Sequence, residues 1–152
     1  ATTEKTSQLE WFKQQLEGNL GVKVQIDTYP DSSTFVAARN AQQYDFYLQG
    51  WNGDYNDPMT FFELWVTGNG YAKFMGGYSN PEYDAMIDAA KATSDPAERM
   101  SYFHKAEDII IGQDWALGPI YFYTQKYMMA DDISGAFYTP LGYFIYGYCT
   151  KG

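Results

Sequence analysis

The sequence predicts an α/β fold. A strictly alternating run, Val22-Lys23-Val24-Gln25-Ile26-Asp27, stands between two stretches of helical spacing, and a second strand-like run, Tyr44-Asp45-Phe46-Tyr47-Leu48-Gln49, follows them. The stretch between the runs is long enough to cross over between parallel strands, and such a β-α-β unit would be right-handed. At 152 residues the chain is read as a single domain over residues 1–152, able to bury about two-thirds of its unfolded surface.

The elements follow in order. Leu9, Phe12, Leu16 and Leu20 share a helical face, Ser7 and Glu10 have capping-box spacing, and Gly21 stops the helix. Val22 to Asp27 alternates as a strand with one covered face and ends at Tyr29-Pro30. Asp31 or Ser32 caps a second helix running to about Gln42, after which Tyr44 to Trp51 returns as a strand. Asp57-Pro58 opens a helical pattern through Phe61, Phe62 and Trp65, and residues Gly68 to Gly77 read as a surface loop. Two helices with strong starts come next. Asn80 caps the first, with Pro81 at its first position and a stripe of Tyr83, Met86, Ile87 and Ala90. Asp95-Pro96-Ala97-Glu98 opens the second, before Phe103, Ala106 and Ile110. Pro119 to Tyr127 and Phe144 to Tyr148 are strand-like, with turns at Asp131-Asp132 and Pro140-Leu141-Gly142.

Composition narrows the function classes. Nineteen acids against ten bases give a formal charge of −9, which repels phosphate backbones and anionic lipid headgroups, so nucleic acid is not expected as a partner. Aromatic residues make up 19% of the chain, including fifteen Tyr, more than a core of this size requires, so some rings line a surface suited to peptides, sugars or proteins. Cys149 is the only cysteine, which excludes a disulfide framework and a thiolate metal cluster. The start, Ala1-Thr2-Thr3-Glu4-Lys5, lacks the basic and apolar regions of a signal peptide, which fits a cytosolic protein or a mature piece.

The most informative stretch is Gly50-Trp51-Asn52-Gly53-Asp54-Tyr55-Asn56-Asp57-Pro58, which sets two carboxylates and two glycines between a predicted strand and a predicted helix. Ligands of open α/β sheets collect at that kind of junction. An acid pair of Asp54 and Asp57 is a poor catalytic candidate, because glycoside hydrolysis needs carboxyls ~5 to 9.5 Å apart across a bond. Asp57, before Pro58, serves instead as a helix cap. A calcium loop is disfavoured, since Met59 and Trp65 stand where its glycine and final glutamate belong. His104 has no partner ligand nearby and reads as solvated or at a core edge. Asp54 has no evident structural task. Between Gly53, which would let backbone approach a ligand, and Tyr55, which would shield it from water, it suits an ammonium group. An ordinary loop aspartate in water is the alternative, and spacing alone does not separate the two.

The motifs Gly50 to Phe61, Gly77-Tyr78-Ser79-Asn80-Pro81-Glu82-Tyr83-Asp84, Asp95-Pro96 to Arg99 and Ala106-Glu107 resemble the C-terminal part of the oligopeptide-binding proteins of ABC importers, the family 5 extracytoplasmic solute-binding proteins. Leu20 to Val24, Pro119 to Tyr127 and Ile133-Ser134-Gly135 resemble the same family in the same order. The resemblance implies part of one lobe of a periplasmic-binding-protein type II architecture, a mixed sheet flanked by helices, with the N-terminal lobe absent. It implies a non-enzymatic, monomeric receptor without cofactor or metal, located in the periplasm or lipid-anchored at the cell surface, which passes an oligopeptide to a membrane permease. By the same resemblance Asp54 takes the peptide α-ammonium, main-chain groups at Gly50 and Asn52 pair with the ligand backbone, and Trp51 packs nearby. Leu48 and Gln49 are neutral where some relatives carry basic residues for the peptide carboxylate. An oligosaccharide receptor of the same family is the alternative, because surplus aromatic rings suit sugar stacking. Hydrogen bonds to a charge contribute ~1.5 to 3 kcal/mol while micromolar binding needs about 8, so backbone pairing and burial between two lobes carry most of the affinity. A single lobe on its own is expected to bind peptides weakly or not measurably.

Overall fold

The computed structural model describes residues 3–71, 74–124 and 126–152. The chain divides into two compact units, Ala1–Tyr47 and Leu48–Gly152.

The first unit holds helix α1, Thr3–Leu20, and helix α2, Ser32–Asn40. Gly21 ends α1 with φ 67°, a left-handed turn that glycine adopts without strain. Asp31 caps α2 as expected: its carboxylate accepts the Thr34 N–H at 2.8 Å and hydrogen bonds from the hydroxyls of Ser33 and Thr34. These donors favour the charged form and bring the carboxyl down to about 2. Tyr29, Phe35 of the first turn of α2, Tyr47 and Tyr44 form a chain of edge-on ring contacts.

The second unit is built on helices. Helix α3, Met59–Phe62, runs into a 3-10 turn, Glu63–Trp65. Helices α4, Pro81–Ala92, and α5, Pro96–Glu107, start where the sequence places them, with the Asn80 and Asp95 side chains accepting first-turn N–H groups. The stripes meet as a core of Met59, Tyr83, Ile87, Ala90, Phe103, Ala106, Ile109 and Ile110. Tyr83 is buried with its hydroxyl donating to the Phe62 carbonyl at 2.6 Å, which ties α4 to α3. After α5 the chain widens into a π-helix, Asp108–Gln113, which periodicity does not reveal. It closes at Asp114, whose carboxylate accepts the Tyr78 hydroxyl at 2.6 Å and the Asn80 amide at 2.7 Å.

Two short antiparallel ladders complete the unit: β1, Ile133–Ser134, with β4, Thr150–Lys151, and inside it β2, Phe137–Tyr138, with β3, Phe144–Ile145. The expected turn at Pro140 to Gly142 joins β2 to β3, and the one at Asp131-Asp132 precedes β1. Gly135 crosses the outer ladder with φ 83°, and a β-carbon there would sit 2.8 Å from the Tyr148 carbonyl carbon and closer still to its oxygen. Gly135→Ala is therefore expected to cost about 2 to 4 kcal/mol, from left-handed strain plus a clash that backbone cannot relieve cheaply. Urea unfolding checks this, and the loss should exceed that of Gly147→Ala, where a β-carbon meets nothing within 4 Å.

Three expected strands are not formed. Val22 to Asp27, Tyr44 to Trp51 and Pro119 to Tyr127 lie outside any ladder, so the parallel β-α-β pair is absent among the described residues, of which Gln125 is not one. The strand expected over Phe144 to Tyr148 is confined to its first two residues. Alternation reports which side chains favour burial, whereas a strand exists only when a neighbouring backbone takes its N–H and C=O groups. Here the Val24 N–H goes to the Glu17 carboxylate at 3.0 Å, and Phe122 is 97% exposed. In the Gly68 to Gly77 loop, Ala72 and Lys73 lie outside the described residues.

Candidate functional site

The Gly50 to Pro58 turn is shaped by close packing against its own unit. Gly53 is buried, and a β-carbon on it would lie 3.2 Å from the Thr60 methyl, 3.3 Å from Leu141 and 3.5 Å from Phe61. Its small size serves the protein's own packing, a correction to the expectation that it admits a ligand. Gly50 is exposed with the Tyr123 ring beside it, 3.0 Å from where a β-carbon would stand. Gly50 and Asn52 make no hydrogen bond among the described residues, so their main-chain groups face solvent unpaired. Trp51 is half-buried and meets Tyr71 edge-on at 5.1 Å, its indole N–H shut off from water with no acceptor among the described residues.

The two carboxylates of the turn have different environments. Asp57 is gripped by Arg99, Nη1 to Oδ2 at 2.7 Å and Nη2 to Oδ1 at 2.8 Å, and also accepts the Met59 N–H at 2.8 Å. The Arg99 guanidinium holds the Asp57 carboxyl below the usual range. The expected cap at Asp57 is thus also an ion pair that joins the start of α3 to the first turn of α5. Arg99 extends further, to the Ala90 carbonyl and over the Phe103 ring at 4.9 Å.

Asp54 is exposed, and its carboxylate has no hydrogen bond or ion pair among the described residues. Its backbone N–H donates to Thr60 Oγ1 at 2.9 Å. Tyr55, expected to shield it, instead donates its hydroxyl to Glu63 at 2.7 Å and leaves Asp54 in water. Loss of water around the phenol, followed by the bond to Glu63, pushes Tyr55 up to about 12. The turn therefore carries one neutralised carboxylate and one uncompensated carboxylate. His104 is exposed, and no cluster of metal-ligating side chains occurs among the described residues.

The Asp57–Arg99 pair has a pH signature. A carboxyl lowered on folding contributes stability above its unfolded value, about 3.9, and loses it as pH falls through the folded value. Wild-type protein is therefore expected to lose unfolding free energy below about pH 4 more steeply than Arg99→Gln, which should be less stable at pH 7 and flatter. The two side chains are 28% and 31% exposed, so water screens part of the effect. Urea titrations at pH 7, 5, 4 and 3 check the difference.

Sequence reasoning did not find Thr60, Leu141, Tyr71, Tyr123 or Arg99. The available signal for Arg99 was a basic residue, scarce in this chain, placed in the first turn of a well-started helix.

The family model described as bacterial extracellular solute-binding proteins, family 5 Middle, matches residues 1–73. The chain is 32% identical over 134 residues to the dipeptide-binding protein DppE of Bacillus subtilis, covering 88% of this chain and 24% of that protein. It is also 32% identical over 117 residues to the oligopeptide-binding protein OppA of Bacillus subtilis, covering 77% of this chain and 21% of that one. Among solved structures it resembles the substrate-binding domain of an oligopeptide ABC transporter from Bacillus anthracis, with a TM-score of 0.74, 28% identity, and coverage of 93% of this chain and 28% of that one. The chain spans about a quarter of the length of the relatives it matches.

Proposed function

Because the chain belongs to the family 5 bacterial extracellular solute-binding proteins, we propose that it forms part of the C-terminal lobe of a receptor that captures extended oligopeptides for an ABC importer. The observation that carries this reading is the Asp54 carboxylate, exposed and without a counter-ion among the described residues while its neighbour Asp57 is occupied by Arg99. A peptide α-ammonium is the ligand group that a single uncompensated carboxylate matches. The unpaired main chain at Gly50 and Asn52 offers the backbone of an extended ligand a short edge to pair with, and half-buried Trp51 supplies apolar surface beside it. The names of the similar proteins, dipeptide-binding and oligopeptide-binding, support the same ligand class.

The receptor works without chemistry: a second lobe closes over the peptide, and the closed form is delivered to the membrane permease. It acts outside the cytoplasm, as a monomer. Among the described residues no helix is long and apolar enough to cross a membrane. The oligosaccharide alternative has one supporting feature, exposed rings at Phe137, Tyr143, Tyr146 and Tyr148.

Calorimetric titration of the complete receptor with di- and tripeptides, their N-acetyl derivatives and cello-oligosaccharides tests the proposal. Peptide binding that weakens on N-acetylation is the expected result. Binding of cello-oligosaccharides alone, or equal affinity for free and acetylated peptides, would overturn it.

A further inference from the structure

We infer that Thr60 is a positioning residue for the ligand ammonium, setting the aim of the Asp54 carboxylate through the Asp54 backbone. This rests on the reading of Asp54 given above. Thr60 is the one polar residue in the buried class among the described residues, at 1% exposure in the first turn of α3. A buried hydroxyl is costly unless it has a task, and an apolar residue of the same shape would pack as well. Its oxygen accepts the Asp54 N–H at 2.9 Å, and its methyl lies against Gly53. One side chain thus fixes two consecutive backbone positions of the turn.

Thr60 is itself held. Its backbone N–H reaches the Asp57 carbonyl at 3.2 Å, the preceding N–H, at Met59, goes to the Asp57 carboxylate, and that carboxylate is clamped twice by Arg99 of α5. Support runs from α5 through Asp57 and the first turn of α3 to Thr60, and from Thr60 to Asp54. The Asp54 carboxylate, by contrast, touches no partner among the described residues that could orient it, so the held backbone fixes where its Cα–Cβ bond points, and χ1 and χ2 set the rest. A lone carboxylate that must meet an ammonium gains from a fixed backbone, because a loose one adds an ordering cost to binding and misses its geometry by fractions of an ångström.

The test uses the complete receptor and two ligands, a tripeptide with a free N-terminus and the same tripeptide N-acetylated, with affinities read by calorimetry. The quantity of interest is the preference for the free amine, the ratio of the two dissociation constants. Thr60→Val keeps the shape and removes the acceptor, and should lower that ratio by about five- to tenfold, the effect of one net hydrogen bond, with N-acetyl affinity unchanged. Thr60→Ser keeps the acceptor and should stay within about twofold of wild type. Should circular dichroism show Thr60→Val unfolded, Thr60→Cys, whose thiol accepts poorly, replaces it with the same expectation. An unchanged ratio in Thr60→Val, or a parallel loss of both affinities, overturns the inference and leaves Thr60 a structural residue. If Asp54→Asn itself leaves the ratio unchanged, the reading of the site falls and takes the inference with it. If Asp54→Asn lowers the ratio and Thr60→Val does not, the inference alone fails.

Discussion

Asp54→Asn in the complete receptor is expected to weaken binding of a tripeptide with a free N-terminus by about ten- to a hundredfold, and to leave its N-acetyl derivative within about twofold. The range follows from the ~1.5 to 3 kcal/mol that a hydrogen bond to a charged group contributes, at 1.4 kcal/mol per factor of ten. Asparagine keeps the size of the side chain and the backbone N–H that bonds Thr60, so the turn should retain its shape. Asp57 offers no substitute, because its two oxygens are engaged by Arg99 and the Met59 N–H. The wild-type preference for the free amine should also shrink as salt is raised, since the Asp54 carboxylate stands in water. Calorimetry at two ionic strengths on the wild type and Asp54→Asn separates this from a general loss of affinity. Equal weakening for both peptides would mean that the variant had disturbed the cleft and not the amine contact.

Phe103→Ala is expected to remove about 3 to 5 kcal/mol of stability, the cost of truncating a fully buried aromatic side chain. Phe103 is 1% exposed, stacks on Phe62 at 4.9 Å with 25° between the rings, and carries the Arg99 guanidinium on its face. Its loss would empty the centre of the helical unit and remove the surface on which Arg99 rests before reaching Asp57. Against a typical total of 5 to 15 kcal/mol, a loss of that size leaves the fold marginal. Urea unfolding followed by circular dichroism measures it. Phe103→Leu, which refills most of the volume, should cost less than half as much. A small effect from the alanine variant would show that α5 is held elsewhere.

What the sequence made legible was local chemistry. Asn80-Pro81 and Asp95-Pro96 place polar caps and prolines where helices begin, and α4 and α5 start there. Tyr83, Ile87, Phe103 and Ala106 form the core that their spacing requires. What remained hidden depends on partners distant in sequence. Val22 to Asp27 has the alternation of a strand, yet no neighbouring backbone among the described residues forms a ladder with it. Asp57 was read as a cap from its proline neighbour, and nothing near it announces an arginine 42 positions away. Gly53 is small because Thr60, Phe61 and Leu141 crowd it, a cause that its flanking residues do not disclose. Asp54 stands out in the sequence as a residue with no evident structural task, and its carboxylate makes no hydrogen bond or ion pair among the described residues.

The separation between Asp57 and Arg99 also orders events in time. Caps and short-range contacts can build α4 and α5 early, whereas the clamp on Asp57 must wait until a segment of some forty residues has closed on itself. The stretch bearing Asp54 is therefore expected to mature after the helix pair, which φ-values at Asp57 and Arg99 lower than those within α4 would check.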